Sequence, residues 1–250
     1  MTLSFAPPPA VFPNLTDQAR AATLSRMFEG LSAEAMLAEA LNGDLGRRIA
    51  MVSSFGAESV ALLHMVASVD PATPVIFLDT EMLFPETLAY QAEVAEHLGL
   101  SDLRIIRPDA ADLAQGDAAG DLHRSEPDSC CELRKTRPLE RALRGFDGWI
   151  TGRKRYQSGE RAVMPLFETD DAGRLKLNPL ADWKAGDAGA YIRAHNLPPH
   201  PLIARGYPSI GCAPCTSPVS EGEDPRAGRW RGAAKTECGI HFVNGKLVRT

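Results

Sequence analysis

The sequence predicts an α/β fold: one mostly parallel, twisted sheet with helices on both faces. Three observations lead there. Short apolar runs at 48–53, 74–79 and 103–106 read as buried strands. Helical patterns fill the spaces between them, which is the βαβαβ order of a parallel sheet. Apolar residues make up 44% of the 250-residue chain, enough for a full core in a single domain spanning 1–250.

The elements follow in order. Residues 1–15 are Pro-rich and are expected to be flexible. Thr16-Asp17-Gln18 opens a first helix, and Ser32-Ala33-Glu34 caps a second that ends near Asn42-Gly43. Arg48–Ser53 is the first strand, and a helix over Val60–Val69 follows it. Pro74–Asp79 is the second strand. Pro85–Leu98 is the next helix, with proline in its first turn and Gly99 as its stop. Leu103–Ile106 is the third strand. Residues 108–129 are polar and read as a loop. A helix is expected from Ser129 to Leu143, broken or kinked at Pro138. Gly148–Gly152 is a fourth strand. Val163–Phe167 and Arg174–Asn178 form a hairpin around Asp170-Asp171-Ala172-Gly173, and Trp183–His195 is the last helix. The segment 217–250 has no periodicity and is expected to be a mobile C-terminal tail.

Charge and composition exclude several classes. A net charge of −5 and a pI near 5.7 argue against nucleic acid as a partner. No run approaches the roughly 18 apolar residues of a membrane span. The N-terminus lacks a basic segment followed by an apolar one, so no signal peptide is read and a cytoplasmic location is expected. The five cysteines are odd in number and do not read as a disulfide framework in such a chain. A homo-oligomer is compatible with the sequence.

Three constellations carry chemistry. The turn Ser53-Ser54-Phe55-Gly56-Ala57-Glu58-Ser59 joins a strand to a helix, where backbone N–H groups and hydroxyls form an anion cradle. It lacks the Gly-Lys-Ser/Thr ending of a Walker A loop. Ser54, Gly56 and Ser59 fall where the Ser-Gly-Gly-x-Asp-Ser loop of the adenine nucleotide α-hydrolase group has its serines and glycine, so the loop resembles that group's. The second constellation, Thr151–Ser158, follows a strand at the edge where open α/β sheets bind ligands. Its cations Arg153, Lys154 and Arg155 suit a phosphate or sulfate, against the plainer reading of a solvated loop.

The third constellation is the cysteines. Cys130-Cys131 and Cys212-x-x-Cys215 are two pairs separated by residues 132–211, and Cys238 stands alone. Paired thiolates point to a soft metal. Only Cys212 and Cys215 have zinc-knuckle spacing, and adjacent ligands fit one tetrahedral ion poorly but suit separate irons. Structural zinc and plain buried thiols remain the alternatives. The lone Cys238 is a candidate nucleophile. Lys135, four residues past Cys131, lies on the same side of a helix as that thiol.

Taken with Lys235-Thr236-Glu237-Cys238-Gly239-Ile240-His241, these cysteines resemble those of the assimilatory adenosine 5′-phosphosulfate (APS) reductases, from about Arg48 to Phe242. The resemblance implies one 4Fe-4S cluster on Cys130, Cys131, Cys212 and Cys215, and catalysis by Cys238. It implies that Ser53, Ser54, Phe55, Gly56 and Ser59 hold the nucleotide phosphate and that Lys135, Arg153, Arg155 and Gln157 contact substrate. His241, three residues past Cys238, is placed to tune that thiol or contact a partner, against the plainer reading of a tail histidine without a role. Leu78-Asp79-Thr80 and Leu83–Thr87 match a family motif near the adenosine, but Glu81-Met82 departs from the family's Gly there. The implied reaction converts APS and reduced thioredoxin, or a glutaredoxin-like donor, to sulfite, AMP and oxidised donor through an enzyme S-sulfocysteine. The Ser-Ser-Phe-Gly loop is closer to the cluster-free 3′-phosphoadenylyl sulfate (PAPS) reductases, which makes PAPS the nearest rival substrate. An ATP-dependent tRNA thiolase would need Asp where Glu58 stands and would show a basic RNA surface. A zinc-stapled nucleotide-binding module would be colourless.

Overall fold

The computed structural model describes residues 16–43, 48–232, 235 and 237. It contains six strands in one sheet: β1 (Ile49–Ser53), β2 (Val75–Leu78), β3 (Leu103–Ile106), β4 (Gly148–Ile150), β5 (Phe167–Thr169) and β6 (Leu175–Leu177). Their spatial order is β3-β2-β1-β4-β6-β5, parallel throughout except for β5. The expected α/β class with a mostly parallel sheet is therefore present. The hairpin is present too, with its first strand shifted to Phe167–Thr169 so that Phe167 pairs with Leu177.

Alternation along the strands makes two cores. Ile49 and Met51 of β1, with Val75 and Phe77 of β2, pack on one face; Ala50, Ile76 and Leu78 pack on the other. The larger core is closed by α1 (Asp17–Met27), α2 (Ala33–Asn42), α3 (Ser59–Val69) and α4 (Pro85–His97). Thr16 and Ser32 cap the first two of these helices, accepting from the N–H groups of Ala19 and Ala35. Pro85 sits in the first turn of α4.

The region read as a loop is different. It holds α5 (Ala110–Gly116), α6 (Leu122–Ser125) and α7 (Pro127–Cys131). Asp109 caps α5 by accepting from Ala111 and Asp112. Neither α5 nor α6 buries a residue, so there is no apolar stripe to read in the sequence. The helix expected over Ser129–Leu143 begins two residues earlier and is three pieces. Past Cys131 the chain widens into a π-helical turn, Glu132–Thr136, before α8 (Arg137–Ala142). Pro138 lacks an N–H and its ring crowds the preceding turn, and the Arg137 N–H reaches back to the Glu132 carbonyl instead. Leu139 and Leu143 close the smaller core. The last helix, α9 (Asp187–Ala194), starts later than expected because Gly186 takes φ 96° and interrupts the turn.

Residues 217–230, expected to be tail, are held on the body. Ser217 donates to the Gly228 carbonyl, Val219 to Gly206, and Trp230, 6% exposed, to Cys215. A Cβ on Gly228 would overlap the Ser217 carbonyl. No described helix is long and apolar enough to cross a membrane.

Candidate active site

The chain leaves β1 towards β2 on one side and returns to β4 on the other, which makes the carboxyl edge between β1 and β4 a topological switch point. A cavity of about 520 Å³ opens there. Ser53, Ser54, Gly56 and Ser59 line one wall. The loop between them is folded by its own hydroxyls: Ser53 Oγ accepts from the Phe55 N–H at 3.2 Å and Ser59 Oγ from the Gly56 N–H at 3.1 Å. Phe55 has φ 46°, an uncommon value for a side chain with a Cβ. Its ring is fully buried, edge-on to Phe77 at 5.2 Å. Phe55 is thus the anchor of the loop, and its side chain is not part of the cavity wall.

The basic stretch divides. Arg153, Lys154 and Gln157 line the cavity; Arg155 does not. The short 3₁₀ turn Arg155–Gln157 sends Arg155 outward, where its Nε donates to the Met164 carbonyl and its guanidinium pairs with Asp182. Arg153 is buried against Glu168 and donates to Asn178 Oδ1 at 3.0 Å. Lys154, 2% exposed, pairs with Glu58 at 2.9 Å.

Three further cavity arginines escaped the sequence reading, Arg161, Arg226 and Arg229; Glu237, from the Lys235–His241 motif, lines the cavity with them. The Nε donors of Arg161 and Arg229 are buried without a hydrogen-bond partner, which is costly unless a ligand supplies an acceptor. The available signal was two arginines three apart between Pro225 and Trp230, in a segment whose lack of periodicity made it read as tail.

The two cysteine pairs meet beside this cavity. Cys130 and Cys131 end α7, and Cys212 and Cys215 flank a 3₁₀ turn; all four are free thiols, three of them buried. The residues after β2 join the pairs: Ala213 donates to the Met82 carbonyl, and Thr80 Oγ1 lies 3.2 Å from Cys212 Sγ. Burial, then the neighbouring Cys131, pushes the Cys130 thiol up to about 12. Burial, then Cys212, raises Cys215 as well. Burial would also raise Cys212, but Lys135 and the Thr80 hydroxyl outweigh it and hold that thiol below its ordinary value. Lys135 lines the cavity beside Cys212 and hydrogen-bonds that thiol. The spacing predicts an α-helical neighbour of Cys131, whereas the chain there is π-helical and the thiol bonded is Cys212. Among the described residues no three Cys, His, Asp or Glu side chains form a group fit for a single metal ion.

Arg134 locks this arrangement. It is buried, donates to Asp117 Oδ2 at 2.7 and 3.1 Å, and reaches the Thr80 carbonyl at 3.0 Å. Burial opposes ionisation of Asp117, but the Leu122 N–H and Arg134 override it and hold its pKa below the usual range. Arg134→Met, which strands a buried carboxylate, should cost about 3–5 kcal/mol in urea unfolding. A depressed carboxyl pKa stabilises above the unfolded value and loses that contribution below it. The Asp117 share of stability should therefore fade as pH drops below about 3.9, and Asp117→Asn should lack that share. A loss under 1 kcal/mol in Arg134→Met would show that the pair is not the lock.

The C-terminal segment returns to the same place. Lys235 pairs with Asp128 and donates to the Pro127 carbonyl beside the first cysteine pair. Glu237 binds Arg161 at 2.6 Å and accepts from Ser158 Oγ at 3.2 Å. Cys238 and His241 lie outside the described residues.

Comparison with known proteins agrees with this geometry. The family described as the phosphoadenosine phosphosulfate reductase domain matches residues 48–218. The adenosine 5′-phosphosulfate reductase of Chelativorans sp. is 51% identical over 230 residues, covering 91% of this chain and 93% of that protein. The phosphoadenosine 5′-phosphosulfate reductase of Gloeobacter violaceus is 43% identical over 229 residues, covering 90% and 95%. Among solved structures, the phosphate complex of the phosphoadenylyl-sulfate reductase from Candida auris aligns with a TM-score of 0.69 at 27% identity, covering 81% of this chain and 97% of that one. With the family matched across most of its length and full-length relatives on both sides of the substrate divide, the chain belongs to the phosphoadenosine phosphosulfate reductase family and is an oxidoreductase acting on a sulfur group.

Proposed function

We propose that the protein reduces adenosine 5′-phosphosulfate to sulfite and AMP at the expense of thioredoxin or a similar dithiol. The observation that carries this is that Glu237, the residue before Cys238, lines the same cavity as the serine loop and the cations Lys135, Arg161, Arg226 and Arg229. A doubly anionic phosphosulfate suits that wall, and its oxygens would satisfy the stranded Nε donors of Arg161 and Arg229. The Cys238 thiolate attacks the substrate sulfur, the sulfur–oxygen bond to the phosphate breaks, and AMP leaves with that electron pair. Lys135 and the arginines offset the charge that develops on the leaving phosphate. A donor thiolate then attacks Cys238 Sγ, sulfite departs, and the donor's second thiol releases the enzyme as a thiolate with the donor oxidised. The dithiol supplies both electrons.

Cys130, Cys131, Cys212 and Cys215 are the residues that would hold a 4Fe-4S cluster. Four unbridged, mostly buried thiols that feel one another's charge fit a group that spreads its ligands over four irons. Such a group would supply a rigid, charged wall beside Lys135. The tRNA thiolase reading is weaker, because the Glu58 carboxylate is taken by Lys154. PAPS is the second candidate substrate, favoured by the name of the Gloeobacter relative. The reaction belongs in the cytoplasm, where reduced dithiols are supplied.

The test is sulfite release from APS and from PAPS with reduced thioredoxin. APS should be used at least about tenfold better, because a 3′-phosphate brings charge that needs its own partners. Equal use of both would move the protein to the other substrate class, and sulfite from neither would end the proposal.

A further inference from the structure

A second cavity, of about 460 Å³, opens at the other end of the sheet. It lies at the amino edge, where the chain enters β1 at Arg48, enters β2 at Pro74 and approaches β4 through Arg144 and Phe146. The reaction proposed above uses nothing there. Three arginines line this cavity, Arg48, Arg104 and Arg144, against one carboxylate, Asp70. Two of the guanidiniums are held from behind. Arg48 donates through Nε and Nη2 to Asp147 at 3.0 and 2.8 Å, and Arg104 through Nε and Nη2 to Asp102 at 2.8 and 2.7 Å. Neither aspartate lines the cavity. Each bidentate pair fixes the plane of its guanidinium and leaves the Nη1 edge without a partner among the described residues. Arg104 also lies over the Phe146 ring, 5.2 Å from its centroid. Arg144 is exposed and meets no carboxylate among the described residues. The last donor is Thr73, 4% exposed. Its N–H is engaged by the Asp70 carbonyl at 3.1 Å, which closes the α3–β2 turn, but its Oγ1 is buried with no hydrogen-bond partner among the described residues. A buried hydroxyl in that state carries a desolvation cost that an acceptor on a ligand would remove.

We propose that this cavity is a second anion site, separate from the candidate active site, for a tetrahedral oxyanion such as phosphate or sulfate, free or as the end group of a small ester. The Nη1 edges of Arg48 and Arg104 donate to its oxygens, Arg144 supplies the unneutralised charge, and the Thr73 hydroxyl gives the fourth contact. Guanidinium forks match the spacing of phosphate and sulfate oxygens, and the two that are already fixed by aspartates lose little freedom when an anion arrives. The aspartates orient the arginines without facing the ligand. The cavity is nearly as large as the 520 Å³ cavity at the carboxyl edge, so it has room for more than a bare ion. Phe146 and Leu41 give an ester's organic group an apolar surface beside the cations. The site joins the α3–β2 turn, the start of β3 and the α8–β4 turn, so an anion there ties together three loops at the amino edge. None of this depends on the reaction at the carboxyl edge.

The test is hydrogen exchange of the complete, anaerobically prepared protein during titration with inorganic phosphate, inorganic sulfate or phenyl phosphate. Chloride holds the ionic strength constant, so that general screening does not change. Peptides covering 70–76 and 144–150 report this cavity, and the peptide covering 53–60 reports the serine loop at the other end of the sheet. In wild type the amino-edge peptides should gain saturable protection. Tighter binding of phenyl phosphate than of inorganic phosphate would identify the ligand as an ester, and equal binding would identify it as the bare oxyanion. Thr73→Val and Arg144→Gln should each weaken the apparent affinity about tenfold, while Thr73→Ser, which keeps the hydroxyl, should bind as wild type. Both variants should melt as wild type does without anion. Arg144 is exposed, so its variant still decides the matter if Thr73→Val fails to fold. Absence of protection at the amino edge, or protection unchanged in Arg144→Gln, would overturn the site. Protection confined to the serine loop would place the anion at the carboxyl edge and would overturn it too. Each of these results stands whether or not the protein makes sulfite.

Discussion

Cys238→Ser should lose thioredoxin-dependent sulfite production by roughly a thousandfold or more, the scale expected when a covalent nucleophile is removed. A serine hydroxyl at this position has no base assigned to it, and its alkoxide is far less accessible than a thiolate. The substitution should leave AMP binding and iron content unchanged, because the serine loop, the cations and the four paired cysteines lie elsewhere in the chain. The comparison matters because Arg161 and Ser158 hold Glu237, the residue before Cys238, at the cavity wall. Retention of more than a few per cent of wild-type activity would show that Cys238 is not the nucleophile.

The second large effect concerns the paired thiols. Cys130→Ser and Cys212→Ser should each reduce bound iron from about four per chain and remove the brown colour of anaerobically purified protein. The two variants should differ in a second respect. Cys212 is the thiol that hydrogen-bonds Thr80 and Lys135, so its loss frees the ammonium that faces the cavity and should weaken substrate use beyond the loss of iron. Cys130 has no such link to the cavity wall, and burial already raises its thiol to about 12. Restoring iron by reconstitution should therefore recover activity more fully in Cys130→Ser than in Cys212→Ser. Stoichiometric zinc without iron in fresh wild-type protein would contradict the cluster assignment outright.

The parts of the molecule that could be read in the sequence are those with a periodic or chemical signature. The strands β1, β2 and β3 are apolar runs, Thr16 and Ser32 are N-caps, and Pro85 and Gly99 bracket a helix. The paired cysteines were legible as two pairs of thiols, and the fold brings the pairs together beside the cavity. What the sequence hid was hidden for physical reasons. The helices α5 and α6 bury nothing and so carry no stripe. The π-helical turn is a response to Pro138 that local patterns do not encode beyond a kink. Arg155 and Arg153 look equivalent in the chain, yet a 3₁₀ turn carries one away from the cavity to the Met164 carbonyl and Asp182, and the fold buries the other against Glu168. Phe55 sits in a phosphate-loop motif, but its ring is core. Arg226 and Arg229 reach the cavity only because the 217–230 segment folds back through the Trp230 and Gly228 contacts, and Arg161 reaches it from the 3₁₀ turn Gly159–Arg161; both placements are tertiary.

The most direct measurement is the mass of the intact, reduced enzyme after anaerobic incubation with APS and no thiol donor, followed by peptide mapping. One added sulfonate per chain, located on the peptide carrying Cys238 and released as sulfite when reduced thioredoxin is added, is the predicted result. An unmodified Cys238 in enzyme that goes on to make sulfite, or a sulfonate on any of Cys130, Cys131, Cys212 or Cys215, would contradict it.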